Sequence, residues 1–194
     1  MSTLPAALRA DCSRCAGLCC VVPAFYAVQG FGFDKPAHEP CAHLTVADRC
    51  AIHAERAALG FPSCVGFECY GAGQRVTQEI FPGTSWRSSA ETAARVFAAY
   101  STCVALHRFM AALALAERNA SAPLAARLRA KRDELDELCR SEDAKHGRVD
   151  IRRVSAEAAD LVREALGEPS RARRTATAAP RCATGATPSR GPRG

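Results

Sequence analysis

Aromatic residues are scarce: one tryptophan, three tyrosines and eight phenylalanines make up 6% of the 194 positions. A core must then be built mostly from Ala, Leu and Val, and large aromatic binding surfaces are not expected. Long apolar runs are missing too. The opening MSTLPAALRADCSRC lacks the apolar stretch of a signal peptide, and no uninterrupted run approaches the ~18 residues of a membrane span. These absences predict a cytoplasmic chain with no membrane partner. Nor is there a nucleotide-binding signature: Gly71-Ala72-Gly73 lacks the third glycine of a dinucleotide fingerprint, and no Walker loop occurs. The triplet reads as a turn.

Acidic residues are absent from 169–194, a stretch that carries Arg171, Arg173, Arg174, Arg181, Arg190 and Arg193. The remaining 20 of the 26 basic residues balance the 20 acidic ones, so the net charge of +6 belongs to the tail. That tail has no aromatic residue to stack on bases and no helical periodicity, so it is read as disordered, and nucleic acid ranks lowest among partners.

Cysteine is what the chain has in quantity. Of 11 cysteines, Cys12, Cys15, Cys19, Cys20, Cys41, Cys50, Cys64 and Cys69 precede residue 70, leaving Cys103, Cys139 and Cys182 beyond it. In a reducing compartment an odd count of thiols fits metal ligation better than a disulfide framework. The run Cys12 to Cys20 spells C-x2-C-x3-C-C. Close thiol pairs suit a tetrahedral ion because one short loop can aim two sulfurs at it. Thiolates are soft ligands, which favours zinc or iron, the latter also as an iron-sulfur cluster, over magnesium or calcium. Adjacent Cys19 and Cys20 are expected to diverge and to serve different roles. Pro40-Cys41-Ala42-His43-Leu44, Cys50-Ala51-Ile52-His53 and the pair Cys64 and Cys69 read as second-half ligands. His43 and His53 are reserve candidates, since eight thiols suffice. His38, His107 and His146 read as surface or packing residues, and the three later cysteines as small hydrophobes.

Pro23, Gly30, Gly32, Pro36, Pro40, Gly60, Pro62 and Gly66 break the first part into short elements that cannot bury much apolar area, the situation in which metal serves as a staple. The pattern then changes. Ser88 with Glu91 reads as a capping box opening a long helix to about Arg118, and Asn119 to Pro123 breaks it. A second helix runs through Leu124, Leu128, Leu135 and Leu138, and a third starts near Asp150 with Ile151, Val154, Ala158, Leu161 and Ala165 on one face. Asp133, Glu134, Asp136 and Glu137 read as one solvated surface. The fold expectation is mainly α: a small loop-rich cysteine-cluster metal module over 1–83, a bundle of about three helices over 84–167, and a disordered basic tail over 168–194.

These motifs resemble the bacterial CxxCxxxCC cysteine-cluster family of zinc- or iron-chelating proteins, in which a PCxxL element, a CxI-aromatic element and a closing cysteine pair follow in this order. His53 stands where that family usually has tyrosine. The chain is also similar to the amino-terminal region of bacterial pentapeptide-repeat proteins, through Phe33-Asp34-Lys35-Pro36-Ala37, Gly60-Phe61-Pro62 and Gly71-Ala72-Gly73-Gln74. The resemblance implies metal chelation and no established reaction. Tandem A(D/N)Lxx repeats are absent from 169–194, which points to a truncated or frame-disrupted relative and leaves no solenoid function to carry over. The leading expectation is a metal-binding protein with a structural or interaction role and a protein partner. An iron-sulfur redox or methyl-transfer enzyme is the alternative.

Overall fold

The computed structural model describes residues 4–168. The basic tail and Cys182 lie outside them. The described residues form six α-helices and no strand longer than an isolated bridge. Three of the helices are long, as the apolar periodicity predicts: α3 (Ala90–Glu117), α4 (Ala122–Arg140) and α6 (Ile151–Ala165). The short ones are α1 (Pro62–Gly66), α2 (Ala72–Arg75), which widens into a π turn over Val76–Ile80, and α5 (Glu142–Lys145).

The caps refine the expected boundaries. Ser89, not Ser88, caps α3, its hydroxyl accepting from the Thr92 amide at 3.1 Å. The third helical position is then Thr92, so no capping box forms. Ser89→Ala is expected to lower stability by about 1 kcal/mol in a denaturant titration, and an unchanged midpoint would mean water caps the helix equally well. Pro123 sits inside the first turn of α4 rather than in the break before it, where its missing amide is no loss. Asp150 caps α6 through the Arg153 amide.

Helix α3 is not the amphipathic helix expected. It buries Val96, Phe97, Ala99, Tyr100, Cys103, Val104, Leu106, His107, Met110, Leu113 and Ala114, a set too dense for one stripe. Its 28 residues are long and apolar enough to cross a membrane, but 67% of the apolar window is covered by the rest of the protein, the pattern of a central core helix. Helices α4 and α6 pack on it, with Leu128, Leu135, Val154 and Ala158 in the same buried cluster. The acidic face of α4 is only partly solvated. Asp136 pairs at 2.6 Å with the buried Arg75 of α2, and Glu134 joins Glu157 of α6 around the buried Lys131.

Part of the cysteine-rich segment packs into the same core as this bundle. Leu8, Leu18, Val21, Val22, Ala72 and Val76 belong to the same buried cluster as Phe97, Tyr100 and Leu106. The division near residue 83 marks a change in composition, while the core runs through it. Trp86 fastens the two parts, its indole N–H donating to the Ala16 carbonyl at 3.1 Å.

Candidate metal centre

The segment carrying Cys12 to Cys20 is two 3-10 turns, Cys12–Arg14 and Leu18–Cys20, hinged at Gly17 with φ 65°. One continuous helix would have put Cys12, Cys15 and Cys19 on a common face, but Gly17 in the left-handed region prevents it. A side chain there would also meet Leu44 Cδ1 at 2.6 Å. Helix α2 and the π turn after it hold this segment from behind. Gln74 accepts from the Asp11 amide at 2.5 Å and donates to the Arg9 carbonyl at 3.2 Å. Thr77 accepts from the Ala16 amide, and Gln78 donates to the Arg14 carbonyl. On the other side the Arg49 guanidinium donates to the carbonyls of Cys15 at 2.5 Å, Ser13 at 2.6 Å and Cys12 at 3.2 Å.

The later cysteines are brought in by backbone pairing. The Cys41 amide donates to the Cys20 carbonyl at 2.8 Å, and a bridge between Leu44 and Cys50 folds the 41–50 loop back. Arg56 donates to the Cys64 carbonyl at 3.0 Å. The 21–39 loop between these segments is organised around Lys35. Its ammonium is buried and donates to the carbonyls of Pro23, Pro36 and Glu39, each at 2.8 Å, with Val21 at 3.2 Å. Burial holds this lysine below its ordinary range, opposed by the negative charge of Cys41, Glu39 and Cys20.

All eight early cysteines, Cys12, Cys15, Cys19, Cys20, Cys41, Cys50, Cys64 and Cys69, line one cavity of ≈ 550 Å³, together with His43 and His53. Phe25, Phe31, Ile52, Phe61 and Phe67 supply its apolar wall. Cys19 and Cys20 were expected to diverge, yet their sulfurs lie 4.0 Å apart and both face the cavity. That separation is close to the edge of a tetrahedral zinc-thiolate shell, roughly 3.8 Å for bonds of about 2.3 Å. Among the described residues no group of three or more His, Cys, Asp or Glu side chains is placed so that it could hold a metal ion.

Three features of the donor set bear on cation binding. First, the thiols burden one another as thiolates. Burial, then the charges of Cys19 and Cys69, pushes Cys15 up to about 12, and burial with Cys19, Cys41 and Cys50 pushes Cys64 up to about 11. Cys19 is raised well above the thiol range, chiefly by its hydrogen bond with Cys20 and then by burial. A bound cation inverts that repulsion. Second, backbone amides are aimed at sulfur: those of Gly71 and Gly73 at Cys69, those of Leu18 and Gly17 at Cys15, and that of His43 at Cys41, 3.4 Å away. Third, Gly73 leaves room for sulfur, since a Cβ there would lie 2.6 Å from Cys15 Sγ. Gly71-Ala72-Gly73, expected as a turn, instead opens α2, and Gly73 gives the Cys15 sulfur its space. Gly73→Ala is expected to cost about 1–3 kcal/mol by overpacking, visible as a lower melting midpoint, and an unshifted midpoint would show that Cys15 moves aside freely.

One residue group escaped the sequence reading. Gln74, Thr77 and Gln78 share one polar helical face at i, i+3 and i+4, a pattern present in the sequence but indistinguishable there from a solvated face. Cys103, His107 and Cys139, read from the sequence as packing residues, form a buried trio. His107 is fully buried, with Nδ1 2.6 Å from the Tyr70 carbonyl. The Cys103 thiol sits 3.7 Å from the Cys139 carbonyl, and the hydrogen bond between the two thiols holds Cys139 below the usual thiol range and Cys103 above it. Neither lines the cavity, and both pack as the small hydrophobes expected.

No family model matches the chain. No solved structure matches it. Among curated proteins it is similar to an uncharacterized protein, YybG, of Bacillus subtilis strain 168, with 40% identity over 103 residues. That alignment covers 53% of this chain and 37% of the relative, so the chain matches well under half the relative's length.

Proposed function

We propose that the first seventy residues are a thiolate metal centre and that the chain is a zinc- or iron-binding protein with a structural or interaction role. The observation that carries this reading is that eight cysteines, spread from Cys12 to Cys69, line one cavity. Chance burial of small hydrophobes would scatter them through the core, as it does Cys103 and Cys139. The metal would be held by a subset of the eight, with His43 and His53 in reach, and it would supply the cross-links that a segment of short turns cannot draw from apolar burial. Kinship with the amino-terminal regions of pentapeptide-repeat proteins and a cytoplasmic setting, where thiols stay reduced, belong to the same reading.

The deciding measurement is elemental analysis with an absorption spectrum on full-length protein purified without oxygen or chelator. About one metal or more per chain is expected; only trace metal would sink the proposal. Colourless protein containing zinc assigns a structural centre, while brown protein with visible absorption assigns an iron-sulfur cluster.

A further inference from the structure

Tyr100 carries a donor with nowhere to donate. The residue lies on α3, is 3% exposed, and its hydroxyl is buried with no hydrogen-bond partner among the described residues. Giving up water without gaining a partner is unfavourable, and a native protein keeps such a group where another state of the molecule supplies the acceptor. The surroundings of this phenol identify that acceptor. A Cβ built on Gly73 would meet both Cys15 Sγ, at 2.6 Å, and the Tyr100 ring edge at Cε2, at 3.8 Å, so this glycine borders both the sulfur and the ring. Burial, then the neighbouring thiols Cys19, Cys69, Cys15 and Cys20, all lining the cavity, push the phenol well above its ordinary range.

A protonated thiol is a weak acceptor, and a metal-bound thiolate is a much stronger one. We infer that the Tyr100 hydroxyl donates a hydrogen bond to a metal-bound cysteine sulfur of this cavity, and so ties the loaded centre to the core helix. The inference rests on the metal-centre reading. It makes Tyr100 a positioning residue: it orients a ligand and stabilises its charge without touching the ion. It also gives metal binding a direct mechanical link to α3, because the same ring packs within the bundle core.

Tyr100→Phe removes one oxygen and keeps the ring, which separates the hydrogen bond from the packing. Zinc affinity of the full chain, measured in competition with a chromophoric chelator, is expected to fall about 10- to 100-fold. The melting midpoint of metal-free protein should stay level or rise, because the variant no longer buries an unpaired hydroxyl. With cobalt in place of zinc, the sulfur-to-metal charge-transfer band should move to lower energy as the sulfur loses its donor. Wild-type affinity together with an unchanged cobalt spectrum would overturn the role of Tyr100 while leaving the metal centre standing. A drop in the metal-free midpoint matching the loss of affinity would assign packing alone and overturn it too. Wild-type protein that binds neither zinc nor cobalt would remove the metal centre and this inference together.

Discussion

Stripping metal from the proposed centre is expected to unfold residues 12–69 while α3, α4 and α6 keep most of their helicity. The argument is one of magnitude. A whole domain is stable by about 5–15 kcal/mol, whereas a structural zinc site supplies on the order of 10 kcal/mol by itself. The segment from Cys12 to Cys69 has three short 3-10 turns and one short helix, α1; it buries Leu18, Val21, Val22, Phe25, Cys41 and Phe61 but leaves Val28, Val46 and Val65 exposed, so its apolar burial is modest for its length. Removing the metal would also restore a crowd of buried thiols with raised proton affinity, Cys15, Cys19 and Cys64 foremost. Hydrogen exchange before and after treatment with a strong chelator checks this. Lost protection across 12–69 with retained protection in 90–165 is the expected result. Uniform protection in both states would show that the cavity holds its shape unaided.

Lys35→Met should be nearly as damaging, although the residue faces no thiol cavity. Its ammonium has three N–H bonds and finds three carbonyls at 2.8 Å and a fourth at 3.2 Å, so it acts as a knot for the backbone from Val21 to Glu39. Phe25 adds its ring face, 4.7 Å away, and pairs its backbone with that of Lys35. Methionine fills a similar volume but strands the carbonyls, each unsatisfied one costing about 1–3 kcal/mol where water cannot reach. A loss of about 3 kcal/mol or more is expected by denaturant titration. Metal affinity should fall with it, because the same loop presents the Cys41 amide to the Cys20 carbonyl. Arginine should not rescue the knot, since a planar fork cannot occupy a compact four-carbonyl cage. A variant as stable as the parent would show that water replaces the ammonium.

The long helices were legible because period and breakers act locally. Leu128, Leu135, Val154 and Ala158 announce their faces, and Asp150 announces the start of α6. Helix α3 was legible as a helix but not as the centre, because a helix buried all round loses the contrast that reveals a face. The cap at Ser89 was off by one, since adjacent serines are equivalent until backbone geometry chooses between them. The eight cysteines were legible as a group from density and spacing. Their meeting in one cavity was not, because it depends on contacts far apart in sequence, such as Gln74 with Asp11 and Arg49 with Cys15. Polar residues that grip backbone look the same in sequence as polar residues that face water. Lys35 and Asp136 both illustrate this, being charged residues whose partners lie on distant or folded-back segments.

Trp86 closes the seam between the cysteine-rich turns and the bundle, bonded to Ala16, packed 5.7 Å from Phe97 and covered by the Arg87 guanidinium at 4.0 Å. It is the chain's one tryptophan. The protein thus carries an intrinsic optical probe at the joint where its two halves meet. Indole emission would follow the detachment of the Ala16 segment from the core, a motion that circular dichroism, dominated by three long helices, would barely register.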